Sequence, residues 1–117
     1  MFGFEKLNVW QESIKYVDDI YSTIRNFPAD EQYGLTGQLN RAVVSIAINI
    51  TEGSGRESKR EFVRFVNMAY GSLCETISLL KICLSREMLD KEPYERLYKD
   101  GEKIGRMLSG LKGSLKK

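Results

Sequence analysis

Four stretches of this chain repeat apolar residues at intervals of three and four, and this periodicity constrains the fold more than any other feature. The first stretch has its apolar residues at Trp10, Ile14, Val17, Tyr21 and Ile24. Such a spacing places side chains on one face of an α-helix. No segment alternates with a period of two, which is the pattern of a half-buried strand. The sequence therefore predicts an all-α protein.

The other three stretches show the same helical spacing and are separated by short breaks. They cover residues 35–50, 62–84 and 94–115. Asp90 is the predicted N-cap of the last helix, and Pro93 fits its first turn. Four long helices with short connections pack as antiparallel neighbours. We therefore predict a single domain over residues 1–117, folded as an antiparallel up-down-up-down four-helix bundle.

The charge is uneven along a chain whose formal net charge is only +2. Residues 1–40 hold three basic and six acidic side chains, whereas residues 106–117 hold four basic side chains and no acidic one. An interaction surface would explain this asymmetry, although a solvated basic segment at a helix end is the commoner explanation. The small net charge does not by itself indicate nucleic acid.

The two cysteines and the apolar segments indicate the compartment. Cys74 and Cys83 are nine positions apart in one predicted helix, on opposite faces and separated by a rise of about 13 Å, too far for a disulfide between them. They therefore fit reduced thiols. The sequence begins without a signal-peptide pattern, and its most apolar run, residues 42–50, is too short to cross a bilayer. We expect a cytoplasmic protein that does not enter the membrane.

The stretch NITEGSGRESKRE, residues 49–61, separates the second and third helical patterns. It is not a phosphate-binding P-loop, because Ser58 stands where the second glycine is needed and Arg60 replaces the metal-binding hydroxyl. Gly53 or Gly55 can instead adopt the left-handed conformation that ends a helix. Ser58 and Glu61 have the spacing of a capping box. We expect a corner between two helices.

Capping leaves the basic residues of this corner unexplained. These are Arg56, Lys59, Arg60 and Arg64. Cations near a helix N-terminus oppose the helix dipole, whereas an arriving phosphate would be favoured by both the cations and the free amides. We therefore regard the four residues as a candidate nucleic-acid-binding cluster. A plain solvated corner is the alternative.

A stripe of hydrogen-bonding residues follows the second helix beside its apolar stripe, and two further residues on the third helix complete it. We predict that they form a polar network in which Arg41 pairs with Glu75. Partly buried networks of this kind most often fix helix register or a subunit interface. A catalytic use of the network is the alternative. The residues of the polar stripe and network are Gln38, Arg41, Ser45, Asn49, Glu52, Ser72 and Glu75.

The composition argues against enzyme chemistry. The chain has no histidine, so it lacks an imidazole base, a His-containing zinc site and Ser–His or Cys–His pairs. Glu52 and Glu75 are the acids that we expect to be buried, but no partner group for them is evident. We expect no catalytic residue, no cofactor and no metal site.

Several runs resemble a known family. They are VWQ at 9–11, FP at 27–28, YGLTGQLNRAVVSIAINITEGSGR at 33–56 and AYGSLCE at 69–75. In this order they resemble the four-helix-bundle family of 23S rRNA intervening-sequence proteins. The positions matching the family pattern are Gln38, Arg41, Ser45, Asn49, Glu52, Gly53, Gly55, Arg56, Gly71, Ser72 and Glu75.

This resemblance implies a small bacterial cytoplasmic bundle that assembles as a homopentamer and has no established enzymatic activity. The family is also similar to the accessory protein of diversity-generating retroelements, a pentameric barrel that binds nucleic acid and a reverse transcriptase. The leading hypothesis is thus a non-catalytic oligomer that binds RNA, DNA or a nucleic-acid-handling protein. The alternative is a protein–protein scaffold that uses the polar stripe and exposed aromatics such as Trp10, Tyr16 or Tyr70.

Overall fold

A computed structural model describes residues 1–28 and 34–117 of the chain. After a short 3₁₀ turn at Gly3–Lys6, the helices are α1 (Asn8–Ile24), α2 (Leu35–Ser54), α3 (Lys59–Ser85) and α4 (Lys91–Leu115). The described residues contain no strand, which confirms the all-α prediction. The helices form an elongated bundle of 44 × 23 × 22 Å. Tyr33, the first residue of the longest run that supports the family resemblance, lies outside the described residues.

Contacts between the helices show the directions in which they run. Glu12 on α1 pairs with Lys103 on α4 at 3.4 Å, and Asp19, further along α1, pairs with Arg96 at 3.0 Å. Residue numbers thus rise on α1 as they fall on α4, so these two helices are antiparallel. The same reversal relates α2 to α3 and α3 to α4. The up-down-up-down arrangement follows from these contacts.

The core lies along the bundle axis, and α2 contributes to it as predicted. Leu39, Val43, Ile46 and Ile50 are fully buried. Burial of aliphatic side chains of this size stabilises the fold by roughly 1.5–3 kcal/mol each. On α3, Cys74 is exposed and Cys83 is buried. This agrees with the prediction that the two thiols lie on different faces of one helix.

The predicted buried face of α1 is partly wrong. Ile14 and Tyr21 belong to the predicted stripe but are exposed. Tyr16 is buried instead, and its hydroxyl donates a hydrogen bond of 2.8 Å to the backbone oxygen of Leu97 on α4. Burial raises the pKa of the Tyr16 hydroxyl well above its ordinary value, so the side chain enters the core neutral and hydrogen-bonded. The helix therefore buries Val9, Ser13, Tyr16, Ile20 and Ile24.

Candidate nucleic-acid interface

The α2–α3 corner, residues 53–58, begins with a glycine that packing requires. The prediction of a left-handed glycine here is wrong, since no described glycine has a positive φ. Gly53 lies inside α2 and is buried, and a Cβ at this position would lie 2.7 Å from Phe65 Cβ and 2.8 Å from Phe62 Cδ1. The missing side chain lets the end of α2 approach the start of α3 closely. Gly55 has a φ of −85° and follows the last residue of α2.

Ser58 caps α3 at the other side of the corner. Its hydroxyl accepts a hydrogen bond of 3.1 Å from the backbone N–H of Glu61. This is one half of the predicted capping box. The Glu61 carboxylate lies 3.3 Å from Nε of Arg64 instead. The cap fixes where α3 begins and therefore where its first-turn cations stand.

Two of the four predicted cations lie against a buried aromatic ring. The guanidinium carbon of Arg56 lies 4.7 Å from the ring centroid of Phe65, and that of Arg64 lies 5.3 Å from the same centroid. Phe65 is only 4% exposed, so the ring is a fixed support. Cation–π contact holds both guanidinium groups against this ring, and that of Arg64 is also paired with Glu61.

The other two cations, Lys59 and Arg60, are exposed and form no ion pair within residues 1–28 and 34–117. They line an open cleft of about 450 Å³ together with Val63 and with Leu115 and Lys116 from the end of α4. The structure thus adds Lys116 to the cluster. In the sequence, Lys116 belongs to the basic run at 106–117, for which a solvated helix end is the commoner explanation. Only the antiparallel topology places that run beside the first turn of α3.

The polar stripe is split by the structure into a small network and exposed side chains. Asn49 donates 2.9 and 3.0 Å hydrogen bonds to the backbone oxygen and Oγ of Ser45, and Ser72 Oγ donates to Ser45 Oγ at 2.9 Å. Because Ser72 lies on α3, this network fixes α2 against α3. Arg41 and Glu75 are both exposed, and among the described residues no ion pair joins them.

The expectation of buried acids is wrong. Glu52 and Glu75 are exposed, as is Gln38, because their positions on α2 and α3 face away from the bundle axis. Charged side chains without a buried partner stay in water. Among the described residues no cluster of three or more cysteine, aspartate or glutamate side chains is arranged to hold a metal ion.

The aromatic residues named for a protein interface do not share one environment. Tyr16 is buried, as described above, and Trp10 is half-buried, with Nε1 donating a 3.0 Å hydrogen bond to Thr51 Oγ1 on α2. Tyr70 is 49% exposed, as predicted. With Leu73, Ile77 and Tyr98 it lines an open apolar groove of about 670 Å³ between α3 and α4. In the described ranges, no helix combines the length and apolar character needed to span a bilayer.

Comparisons with known proteins agree with this architecture. A family model of 23S rRNA-intervening sequence proteins matches residues 5–110. A crystal structure of a protein with unknown function, from the S23 ribosomal protein family of Bacteroides thetaiotaomicron, superposes with a TM-score of 0.79 at 24% identity. The match covers 88% of this chain and 96% of that one, and at this identity it shows a shared fold. A search of curated proteins finds no match.

Proposed function

This chain belongs to the 23S rRNA-intervening sequence protein family, and we propose that it is a non-catalytic, homo-oligomeric, cytoplasmic helical bundle whose α2–α3 corner binds the phosphates of RNA or DNA. The observation that supports the proposal is the arrangement of cations at one end of the bundle. Arg56 and Arg64 are held on one buried ring, and Lys59 and Arg60 face Lys116 across a cleft. These five cations define the basic corner.

The charges of the basic corner are suited to a polyanion. Cations from α3 and α4 share one cleft, where their like charges repel one another. A phosphate strand would relieve this repulsion and release its own counterions. Glu57 and Glu61 oppose binding, so the affinity of a single corner is expected to be modest and strongly salt-dependent.

We propose further that the protein assembles as a pentamer. Several identical corners on one particle would bind a single nucleic acid with an avidity that one corner lacks. The family resemblance described under the sequence implies the same assembly. Light scattering of the purified protein measures the assembly directly, and a monomer would contradict this part of the proposal.

The test of nucleic-acid binding is a fluorescence-anisotropy titration of RNA and DNA at several salt concentrations. The variant has Arg56, Lys59, Arg60 and Arg64 changed to Ala. We expect the variant to lose affinity, and the slope of log K against log salt to fall by about one for each cation that contacts a phosphate.

A matched control removes the same charge from the half of the bundle that lies away from the corner. It changes Arg25, Arg86, Lys91 and Lys99 to Ala, all of which are exposed. Binding that survives in this control but not in the corner variant supports a local site. Equal losses in the two variants indicate only a dependence on net charge, and absence of salt-sensitive binding by the native protein contradicts the proposal.

The second candidate function is a protein–protein scaffold that binds no nucleic acid. The apolar groove between α3 and α4 favours it, because Tyr70 and Tyr98 expose large aromatic surface there. Changing Tyr98 to Asp would place a charge in the groove. A changed particle size in light scattering would identify the groove as a contact between copies of this chain.

A further inference from the structure

The 3₁₀ turn before α1 holds an aromatic ring in water at the end of the bundle where the basic corner lies. Phe2 is 73% exposed, the largest exposure of any aromatic side chain among the described residues. One face of its ring stacks on Phe4, with centroids 5.8 Å apart and planes inclined by 15°. The other face has no aromatic partner in the described chain. A phenylalanine in this position gains little from burial.

Phe2 is nevertheless held in place by the backbone. Its N–H donates a hydrogen bond of 2.8 Å to Oε1 of Glu5, and the N–H of Glu5 donates to the backbone oxygen of Phe2 at 3.1 Å. The side-chain amide of Gln11 on α1 donates a hydrogen bond of 2.8 Å to the backbone oxygen of Glu5. These bonds tie the turn to α1. They hold the backbone of Phe2 in place, and its ring, which rests on Phe4, forms a platform.

The platform is anchored to the end of α2. Phe4 packs edge-on against Trp10 at a centroid distance of 5.1 Å, and Trp10 is hydrogen-bonded to Thr51. A Cβ at Gly3 would lie 3.7 Å from Oγ of Ser54, the last residue of α2. Arg56 follows Ser54 by two positions. The exposed ring and the basic corner thus lie at the same end of the bundle.

An exposed aromatic face at the same end of a protein as a cluster of cations is a combination suited to unpaired nucleotides. Bases in a duplex are already stacked on their neighbours, whereas an unpaired base can stack on a protein ring while its phosphates contact cations. From this placement, which rests on the proposed function, we infer that the basic corner binds single-stranded segments of nucleic acid and that Phe2 stacks on an unpaired base.

The experiment compares one short single strand without self-complementarity with a duplex of the same sequence. Phe2→Ala is expected to weaken single-strand binding by roughly tenfold to a hundredfold, as removal of a base-stacking ring does elsewhere. Duplex affinity and the salt slope should stay unchanged, because no charge is removed. Phe2→Trp should retain single-strand affinity and show a change in tryptophan fluorescence on binding.

Tyr21→Ala is the matched control, since Tyr21 is also an exposed aromatic residue and lies on the last turns of α1, away from the corner. It should bind as the native protein does. Single-strand affinity that is unchanged in Phe2→Ala, or lost equally for single strand and duplex, overturns the inference while leaving the basic corner intact. If the native protein binds neither nucleic acid, the proposed function fails and the inference fails with it.

Discussion

The two corners on either side of α3 connect helices by different means. The α2–α3 corner contains Gly53 and Gly55 but no positive φ. The α3–α4 corner, residues 86–90, has no glycine, yet Glu87 has a φ of 61°. The conformation that favours glycine is therefore found where glycine is absent.

This difference separates two reasons for which a helix end selects a residue. At Glu87 the left-handed turn is held by hydrogen bonds, since Met88 N–H donates to Cys83 O at 2.9 Å and Glu87 N–H donates to Leu84 O at 3.0 Å. At Gly53 the conformation is helical, and the absence of a side chain is required by the Phe62 ring and by Cβ of Phe65. A glycine near a helix end can thus indicate close packing rather than a left-handed cap.

The largest effect is expected for Gly53→Ala, which tests whether close packing at the α2–α3 corner requires glycine. We expect it to lower the free energy of unfolding by about 2 kcal/mol, because the new Cβ would force the end of α2 away from Phe65 Cβ. Urea denaturation followed by circular dichroism measures the change. Gly55→Ala is the control, because its nearest atoms lie at ordinary contact distances of 3.6 Å or more. A Gly53 variant no less stable than the Gly55 variant would show that the close approach of α2 to α3 does not require glycine.

A smaller effect is expected when the helix caps of the two corners are removed. Ser58→Ala should destabilise the protein by about 1 kcal/mol, because the N–H of Glu61 loses its acceptor. Asp90 is the N-cap of α4, as predicted, but its side chain accepts no cap hydrogen bond. Asp90→Ala should therefore cost less than Ser58→Ala in the same denaturation measurement. The reverse order would contradict the assigned difference between the caps.

The smallest expected effect is a gain in stability. Glu87→Gly should raise the free energy of unfolding by about 0.5 kcal/mol, since relief of the left-handed conformation outweighs the added flexibility of the unfolded chain. Thermal melts of Glu87→Gly and Arg86→Gly provide the measurement. Arg86 has a φ of −87°, so glycine there should only destabilise. Destabilisation by both substitutions would show that Glu87 is not strained.

The sequence predicted α2 better than α1, and their apolar patterns explain why. On α2 the apolar residues form a single wide face, which periodicity identifies. On α1, apolar and aromatic residues allow two faces, one with Ile14 and Tyr21 and another with Tyr16 and Ile20. The choice depends on a hydrogen bond from Tyr16 to Leu97, 81 positions away in the chain. The spacing of apolar residues along α1 cannot identify a partner so distant in the sequence.

The candidate site was likewise predicted from the sequence only in part. Arg56, Lys59, Arg60 and Arg64 are neighbours in sequence, so their clustering could be predicted, but what surrounds them could not. Lys116 joins them only through the antiparallel packing of α3 and α4. Phe2 lies at their end of the bundle only because the 3₁₀ turn contacts the end of α2. Both residues are distant in sequence, and no short motif links them to the corner.

Phe65 belongs at once to the hydrophobic core and to the basic corner. Its ring is buried, and two guanidinium groups lie against it. Ligand affinity and folding stability are therefore thermodynamically linked through one side chain. A polyanion that binds only the folded protein raises its resistance to unfolding by mass action. Conversely, a core substitution that tilts this ring would weaken anion binding without removing any charge.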